Sequence, residues 1–109
     1  MATYTYVPKA SQSDLSSLSS QLGNFAFTAI TNGTNLDNLK TPGFYGCGSA
    51  TIAASLVNCP TTSNFAMLYL GKSTSQGTQV IFQPAAIWIR TMSSGNWGSW
   101  YKYTGTVVS

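Results

Sequence analysis

The sequence has very few charged residues, and the ones that are missing exclude most catalytic chemistry. Charged residues make up 6% of the chain, with no histidine, no glutamate and two acids, Asp14 and Asp37. Glycoside hydrolysis usually requires two carboxylates at one bond, and a serine or cysteine nucleophile requires a base such as histidine. Asp14 is expected to cap a helix and Asp37 to form a turn. We therefore expect no enzymatic activity and no cofactor.

Cysteine is also scarce. The chain has two cysteines, Cys47 and Cys59, which are too few for a disulfide scaffold. Without a histidine, they do not complete a zinc site within one chain. A disulfide between them and a pair of small buried thiols remain equally open.

Basic residues are few and scattered. The five cations are Lys9, Lys40, Lys72, Arg90 and Lys102. Nucleic-acid binding requires a clustered basic patch, because affinity grows with the number of phosphates that are neutralised. No apolar run approaches the about 20 residues of a membrane helix, and the first residues lack the basic start and apolar stretch of a signal peptide. We therefore expect neither nucleic-acid binding nor membrane insertion.

What the chain does contain is enough to build one folded domain. Hydrophobic residues make up 43% of its 109 residues and aromatic residues 13%, so a core is feasible. Serine, threonine, asparagine and glutamine must then supply most of the solvated surface. Such a surface is typical of extracellular fibrous or particle-bound proteins.

Residues 11–23 predict a short helix with one apolar stripe. The stripe has the spacing of a coiled coil and consists of Leu15, Leu18, Leu22 and Phe25. Ser11 with Asp14 resembles a helix-capping pair, and Gly23 is a helix stop. Two heptads rich in serine do not hold alone in water. We favour a stub of oligomeric coiled coil over a single amphipathic helix packed on a sheet.

From residue 24 onwards the pattern changes to short strands separated by glycine, proline and asparagine. The candidate strands span 24–30, 43–48, 64–71, 78–84, 86–92 and 97–105. No alternation of strands with helices appears, so we predict a small, mainly β, antiparallel domain over residues 24–109. Residues 1–10 are predicted to be an extended segment that anchors in a partner's groove. Its candidate anchor residues are Tyr4, Tyr6 and Val7.

The faces of the most apolar strand indicate an oligomer. In the strand at 64–71, Phe65 and Tyr69 lie on one face, and Leu68 and Leu70 lie on the other. A half-exposed strand is apolar on one side and polar on the other, whereas both sides are apolar here. We therefore predict that another copy of the chain covers the second face. Leucine at both stripe positions of the helix leaves dimers and trimers open.

The segment SGNWGSWYKY, at 94–103, concentrates aromatic surface near the end of the chain. Strand alternation places Trp100 and Lys102 on one face, and Tyr101 and Tyr103 on the other. We interpret the tryptophans as structural, and the two tyrosines as a subunit seam or a glycan platform. The candidate glycan or partner contacts in loops are Ser75, Gln76 and Asn96.

Two motifs resemble a known family. They are NLDNLKTPGFYGCGSA, which begins at Asn35, and IWIRTMSSGNWGSWYKY, which begins at Ile87. Together they resemble the knob-type domains of bacteriophage tail fibres and related pyocin fibres, which open with (D/N)LN-x-L-x-x-P-G-x-Y and close with R-T…W-x-x-W-x-K/R. The matching residues are Leu36, Leu39, Pro42, Gly43, Tyr45, Arg90, Thr91, Trp97, Trp100 and Lys102. The resemblance covers about residues 30–104, and residues 49–64 do not follow it.

The resemblance implies a fold, a role and a location. The fold is a small β-rich knob behind a coiled-coil stub, trimeric about a fibre axis, with Arg90 supporting Trp97 and Trp100. The role is that of a non-enzymatic phage virion fibre component that attaches to or recognises the bacterial surface through glycans. Its partners are copies of itself, other virion proteins reached by the N-terminus, and a host cell-surface glycan. It is made in the bacterial cytoplasm and carried on the surface of the phage particle.

Two other functions remain open at the level of the sequence. One is a head-fibre or decoration protein of the capsid, or another structural virion protein, without receptor binding. The other is a free carbohydrate-binding module. That function predicts a monomer, which the apolar stripe of the helix disfavours.

Overall fold

The computed structural model of the protein describes residues 13–17 and 27–109. Residues 13–17 are helical, inside the helix predicted for 11–23, and Leu15 among them is exposed. The other predicted residues of the apolar stripe lie outside the described residues, namely Leu18, Leu22 and Phe25. The same holds for the predicted anchor residues Tyr4, Tyr6 and Val7.

Seven strands form one sheet. They are β1 (Thr28–Ala29), β2 (Gly43–Cys47), β3 (Phe65–Ser73), β4 (Gln76–Gln83), β5 (Ala86–Ser93), β6 (Asn96–Trp97) and β7 (Tyr101–Thr104). The order across the sheet is β1-β2-β3-β4-β5, and the far edge of β5 pairs with β6 at one end and with β7 at the other. The predicted mainly β class is confirmed.

The sheet is mixed, because the predicted antiparallel pairing holds for five of its six pairs of strands. β1 runs parallel to β2, with Thr28 opposite Tyr45, while the other pairs of strands are antiparallel. Parallel neighbours require a long crossover connection, and the connection at 30–42 supplies it. The alternation of side chains within a strand does not predict whether two strands run parallel, because the connection between them determines their relative direction.

The strand predicted at 97–105 is divided in two. Gly98 N–H still donates to Thr91 O of β5 at 2.8 Å, and the backbone then leaves the sheet until β7 begins at Tyr101. Trp100 lies in this break, between β6 and β7. The break turns its indole towards the loop at Asn58, whose carbonyl accepts a hydrogen bond from Nε1 at 3.0 Å.

Two hairpin turns lie side by side at one end of the sheet, which we call the hairpin end (residues 71–77 and 93–96). Ser94 and Gly95 both have positive φ, at 52° and 80°, as a tight type I′ turn between two strands requires. Gly95 N–H donates to Ser75 O of the neighbouring turn at 3.0 Å. The two turns therefore hold each other in place.

Two short helical elements cover one face of the sheet. A 3₁₀ turn spans Leu36–Asn38 and is capped by Asn35. Helix α1 spans Ala50–Ser55 and begins at Ser49, whose hydroxyl accepts a backbone N–H at 3.2 Å. Neither element was predicted, because such short segments show no helical period in the sequence.

The core lies between these elements and one face of the sheet, which we call the inner face. Its fully buried residues include Leu36 from the 3₁₀ turn and Met67, Tyr69 and Ile81 from the strands. Gly77 makes room for the ring of Tyr69, whose hydroxyl occupies the position that a Cβ would take. Strand alternation assigns the intervening residues to the opposite face, which we call the outer face.

Candidate functional site: an apolar sheet face opposite a buried arginine

The outer face of the sheet is apolar across five strands, and none of the described residues forms a layer over it. Cross-strand pairing brings its side chains together, with Phe44 opposite Leu68 and Phe82 opposite Ile87. The apolar residues of this face are Phe44, Leu68, Leu70, Val80, Phe82, Ile87, Ile89, Tyr101 and Tyr103. None of them carries a charge at neutral pH. This contiguous exposed surface is therefore the first candidate for an interaction site.

The exposed aromatic surface continues to both edges of the sheet. At one edge, Tyr101 is 65% exposed and Tyr103 59% exposed, and in the middle Phe82 is 43% exposed. At the other edge, the ring of Phe27 lies directly over Gly46, where a Cβ would overlap it. The apolar surface therefore extends from β1 to β7 without interruption by a charged side chain.

The predicted contact residues fall into two separate places. Tyr101 and Tyr103 belong to the outer face, on the strand that pairs with β5. The predicted loop contacts Ser75, Gln76 and Asn96 lie together at the hairpin end. The structure thus separates an aromatic surface from a polar one.

On the inner face, Arg90 is buried between two tryptophans. Its guanidinium carbon lies 4.3 Å from the centroid of the Trp97 ring and 4.7 Å from that of Trp100. Nη1 meets Asp37 Oδ1 at 2.9 Å as an ion pair, and Nε donates to Gln79 Oε1 at 2.9 Å. Stacking on two indoles stabilises the cation where water is excluded. The side chain therefore joins four separate segments of the chain.

Burial and the ion pair act on Arg90 in opposite directions. Arg90 is only 4% exposed, and this burial lowers the pKa of its guanidinium, while the carboxylate of Asp37 raises it. The group nevertheless remains charged, because arginine starts from a very high pKa. The contact between Arg90 Nη1 and Asp37 Oδ1 is an ion pair, but its angles are not those of a hydrogen bond. Arg90 Nη2 makes no hydrogen bond within the described residues. The faces of the two indoles provide the remaining compensation for the charge.

Gln79 connects the arginine to the 3₁₀ turn. It is fully buried on β4, and Nε2 donates to Leu36 O at 2.6 Å and to Leu39 O at 3.1 Å. Its oxygen accepts the hydrogen bond from Arg90, so the whole amide is satisfied. Sequence reasoning missed Gln79, although its spacing of two from Ile81 places a polar side chain on the inner face of a strand.

Asn58 is a second residue that sequence reasoning missed. It has a positive φ of 59°, and Nδ2 donates to Asp37 Oδ2 at 2.8 Å and to Asn35 Oδ1 at 3.1 Å. Its carbonyl accepts from Trp100, while Trp97 Nε1 donates to the carbonyl of Asp37 at 3.2 Å. Asp37 is therefore more than a turn residue, because it orients both the arginine and this loop.

Further motif residues lie on strands β2, β5 and β7 of the sheet. Tyr45 is buried, and its hydroxyl donates to a main-chain carbonyl at 2.6 Å. Gly43 opens β2 with φ of 146°, a value that L side chains rarely adopt. Lys102 Nζ lies 4.9 Å from the centroid of the Trp88 ring. Thr91 is exposed on β5.

The two cysteines are free thiols in the structure. Cys47 Sγ donates to Ser49 O at 3.3 Å, and Cys59 Sγ donates to Thr61 O at 3.2 Å. Burial raises the pKa of the Cys59 thiol above its usual 9.0. Across residues 13–17 and 27–109, no group of histidine, cysteine or acidic residues is placed to hold a metal ion. Within the same ranges, no helix is both long and apolar enough to cross a membrane.

Solved structures of pyocin fibres share this fold. An N-truncated R2-type pyocin tail fiber aligns with a TM-score of 0.66 at 22% identity, over 70% of this chain and 31% of its own. The C-terminal part of the P. aeruginosa R1 pyocin fiber aligns with a TM-score of 0.67 at 18% identity, over 70% of this chain and 21% of its own. The corresponding part of the R2 fiber gives 0.66 at 22% identity, over 74% and 24%.

This likeness confirms, at the level of the fold, the resemblance that the two sequence motifs predict. The chain spans less than a third of the length of the solved fibres it matches. No family model and no curated protein sequence matches it.

Proposed function

We propose that the protein is a non-enzymatic component of a phage-type fibre that trimerises through the outer face of its sheet and recognises a bacterial surface. The observation that carries the proposal is the outer face, which is apolar across five strands and uncharged. The shared fold with pyocin fibres supports the fibre setting.

A second copy is the occupant that best fits this face. Five strands at about 4.8 Å spacing and five residues at about 3.3 Å rise give a projected area of roughly 400 Å², which is as large as the patches that mark interaction sites on monomers. Three copies can bring their outer faces together around one axis, and this contact buries no unpaired charge because the apolar face carries none. The same contact would cover Phe27 and Tyr103 at the edges of the sheet.

Three copies, rather than two, follow from the fibre setting. The resemblance to phage and pyocin knobs implies a trimer about an axis, and the predicted helix stub supplies an apolar stripe that two or three copies satisfy. Each copy of such a trimer presents one hairpin end. Weak recognition by one copy is then strengthened by avidity when three copies engage a surface together.

Light scattering on the full chain tests the assembly. We expect three times the chain mass for the natural protein and a monomer for Phe82→Lys, which places a charge in the middle of the apolar face. The matched control is Thr62→Lys, which adds the same charge to an exposed loop and leaves the trimer intact. A monomeric natural chain, or a Phe82→Lys variant that assembles as before, contradicts the proposed interface.

Adsorption to bacterial cells separates recognition from a purely structural role. Labelled protein is mixed with a panel of strains that includes P. aeruginosa, and the bound fraction is measured by flow cytometry. Gln76→Ala and Asn96→Ala at the hairpin end are expected to reduce binding without loss of the trimer. A trimer that binds no strain would instead favour a head-fibre or decoration protein.

A further inference from the structure

We propose that the hairpin end and the adjoining residues 40–42 bind the acidic group of a saccharide, a carboxylate or a phosphate. Lys72 and Lys40 are the proposed contacts. The inference rests on the proposed function for its biological setting, because it names the ligand class of the recognition step. Its structural basis differs from that of the proposed trimer, although the smaller groove borders the outer face. It consists of a bulge, two adjoining grooves and an imbalance of charge.

Lys72 lies at a β-bulge. On β3, Gly71 pairs with Gly77 and Ser73 pairs with Gln76, so Lys72 is one extra residue without a partner on β4. A bulge of this type redirects the extra side chain and is common beside functional sites. Here it places Lys72 where it lines two grooves at once, of about 330 and 200 Å³.

The two grooves offer contacts of the kind that a sugar uses. The larger one, which we call the Lys40–Lys72 groove, is lined by Lys40, Pro42, Gly71, Lys72, Ser73 and Thr74. The smaller one continues from Lys72 across the polar end of the outer face, past Gln76, Thr78 and Thr91. Hydroxyl and amide groups bind ring hydroxyls, and the proline ring supplies an apolar contact.

The charges around this site favour an anion. Between residues 27 and 109 the chain has one acid, Asp37, and it is paired with Arg90. The three lysines of that range therefore have no acidic partner within it, and two of them line one groove. A positive potential reaches about 8 Å at physiological salt. A negatively charged ligand is thus attracted here more than to the rest of the described surface.

The rim of the site is held in shape by the fold. Ser75 N–H donates to Ser73 Oγ at 3.3 Å, and Gly95 N–H donates to Ser75 O at 3.0 Å. The neighbouring β5–β6 turn thereby supports the β3–β4 turn. A rim that is already ordered costs less conformational entropy when a ligand binds.

Nuclear magnetic resonance titrations of the ¹⁵N-labelled full chain test the site. The probes are glucuronic acid, glucose 6-phosphate and glucose, at an ionic strength of about 0.02 M, where Coulomb attraction is strong. We expect the two acidic sugars to shift the backbone amides of Lys40 and of residues 71–74, with millimolar affinity of the order found for single sugar sites. Glucose is expected to leave these amides unchanged. A response to one acidic sugar alone identifies the group as carboxylate or phosphate.

Variants assign the contacts. Lys72→Gln and Lys40→Gln are each expected to weaken binding by about five-fold, the size of one screened charge contact. Lys102→Gln is the matched control, because Lys102 lies over Trp88 and away from the grooves, and we expect it to change affinity less than about two-fold. Raising the ionic strength to about 0.5 M is expected to abolish binding.

Three results would overturn the proposal. Equal shifts with glucose would show that charge has no role. An equal loss in Lys102→Gln would show a diffuse charge effect without a site. Inorganic phosphate that binds as tightly as glucose 6-phosphate would show a bare anion site rather than a saccharide site. Light scattering on the same samples separates the two proposals: a trimer without sugar shifts refutes only the acidic-saccharide site, and a monomer with sugar shifts refutes only the assembly.

Discussion

The two faces of the sheet differ in polarity and in burial. The inner face buries a charge and an amide, Arg90 and Gln79, and satisfies them with its own chain. The outer face presents only apolar groups in its middle, and the described part of the chain supplies no cover. Polar groups that are buried require exact partners at fixed positions, so the inner face determines one arrangement of loops. An apolar face fits any complementary apolar surface, which is why we propose the outer face as the site of association.

The largest effect is expected when the inner face loses its charge. Arg90→Met keeps an unbranched apolar stem but removes the guanidinium, so Asp37 loses its cation and Gln79 loses a donor. We expect unfolding to become easier by about 3–5 kcal/mol, because the buried Gln79 loses its donor, the two indoles lose their cation, and Asp37, which is 36% exposed, loses its ion pair. Urea denaturation measures the loss. Lys102→Met is the control, because its exposed cation over Trp88 should contribute less than about 1 kcal/mol.

A second prediction compares adjacent residues that point to opposite faces. Ile81 is fully buried on the inner face and Phe82 is 43% exposed on the outer face. Ile81→Ala is expected to cost about 2–5 kcal/mol, since it leaves a cavity in the core. Phe82→Ala should cost about 1–1.5 kcal/mol in the dissociated chain, because only part of this side chain is buried there.

In the assembled protein, the two substitutions should differ in how their effect on the melting temperature depends on protein concentration. Phe82→Ala is expected to make the melting temperature depend less on protein concentration, because weaker association stabilises the folded chain less at each concentration. Ile81→Ala should lower the melting temperature by a similar amount at every concentration. Equal behaviour of the two variants across a hundredfold dilution would remove the distinction between the faces.

The sequence predicted the strands better than their arrangement. Short apolar runs revealed β2 to β5, because side-chain alternation is a local property. The parallel pairing of β1, the break at Trp100 and the short helix at Ala50–Ser55 depend on long connections or on very short elements. Those features are fixed by tertiary contacts, such as the hydrogen bond from Trp100 to Asn58. Local periodicity does not contain them.

The candidate site was predictable to a similar extent. Alternation on β3 showed that both faces are apolar, and the structure places Leu68 and Leu70 on the open one. The role of Arg90 beside the tryptophans came from the motif resemblance, since its partners are distant in the sequence. Lys72 gave no signal in the sequence, because a bulge becomes visible only when the register of two strands is known.

A smaller effect is expected at Asn58, at the edge of the hydrogen bonds around Asp37 and Arg90. Asn58 combines a left-handed backbone with hydrogen bonds to Asp37 and Asn35. Asn58→Ala is expected to cost about 1–2 kcal/mol, from backbone strain and from the lost hydrogen bonds. Asn58→Gly removes the hydrogen bonds without the strain, so its cost should be roughly half as large. Thermal unfolding of both variants separates the two causes, and equal losses would show that strain contributes nothing.

The smallest effect concerns the thiol of Cys59, which packs against the core. Burial raises the pKa of Cys59 above 9.0, and the thiolate is the species that reacts with iodoacetamide. We expect Cys59 in the native protein to be alkylated more slowly at pH 8 than in the urea-unfolded chain, and its rate to level off at a higher pH than in the unfolded chain. Peptide mapping by mass spectrometry distinguishes Cys59 from Cys47, which is buried.

The same shift has a consequence for stability. Because the native pKa of Cys59 lies above the unfolded one, the stabilisation is complete below about pH 9.0 and is lost as the pH rises through the native value. Cys59→Ala should remove this part of the pH dependence, while Cys47→Ala should reduce it only slightly, because burial raises the pKa of Cys59 more than the nearby Cys47 does. If native Cys59 reacts as fast as unfolded Cys59, then water reaches it freely, and the inner layer is not closed at this loop. The contrast between a sealed inner face and an open outer face would then hold for the sheet but not for the loop beside it.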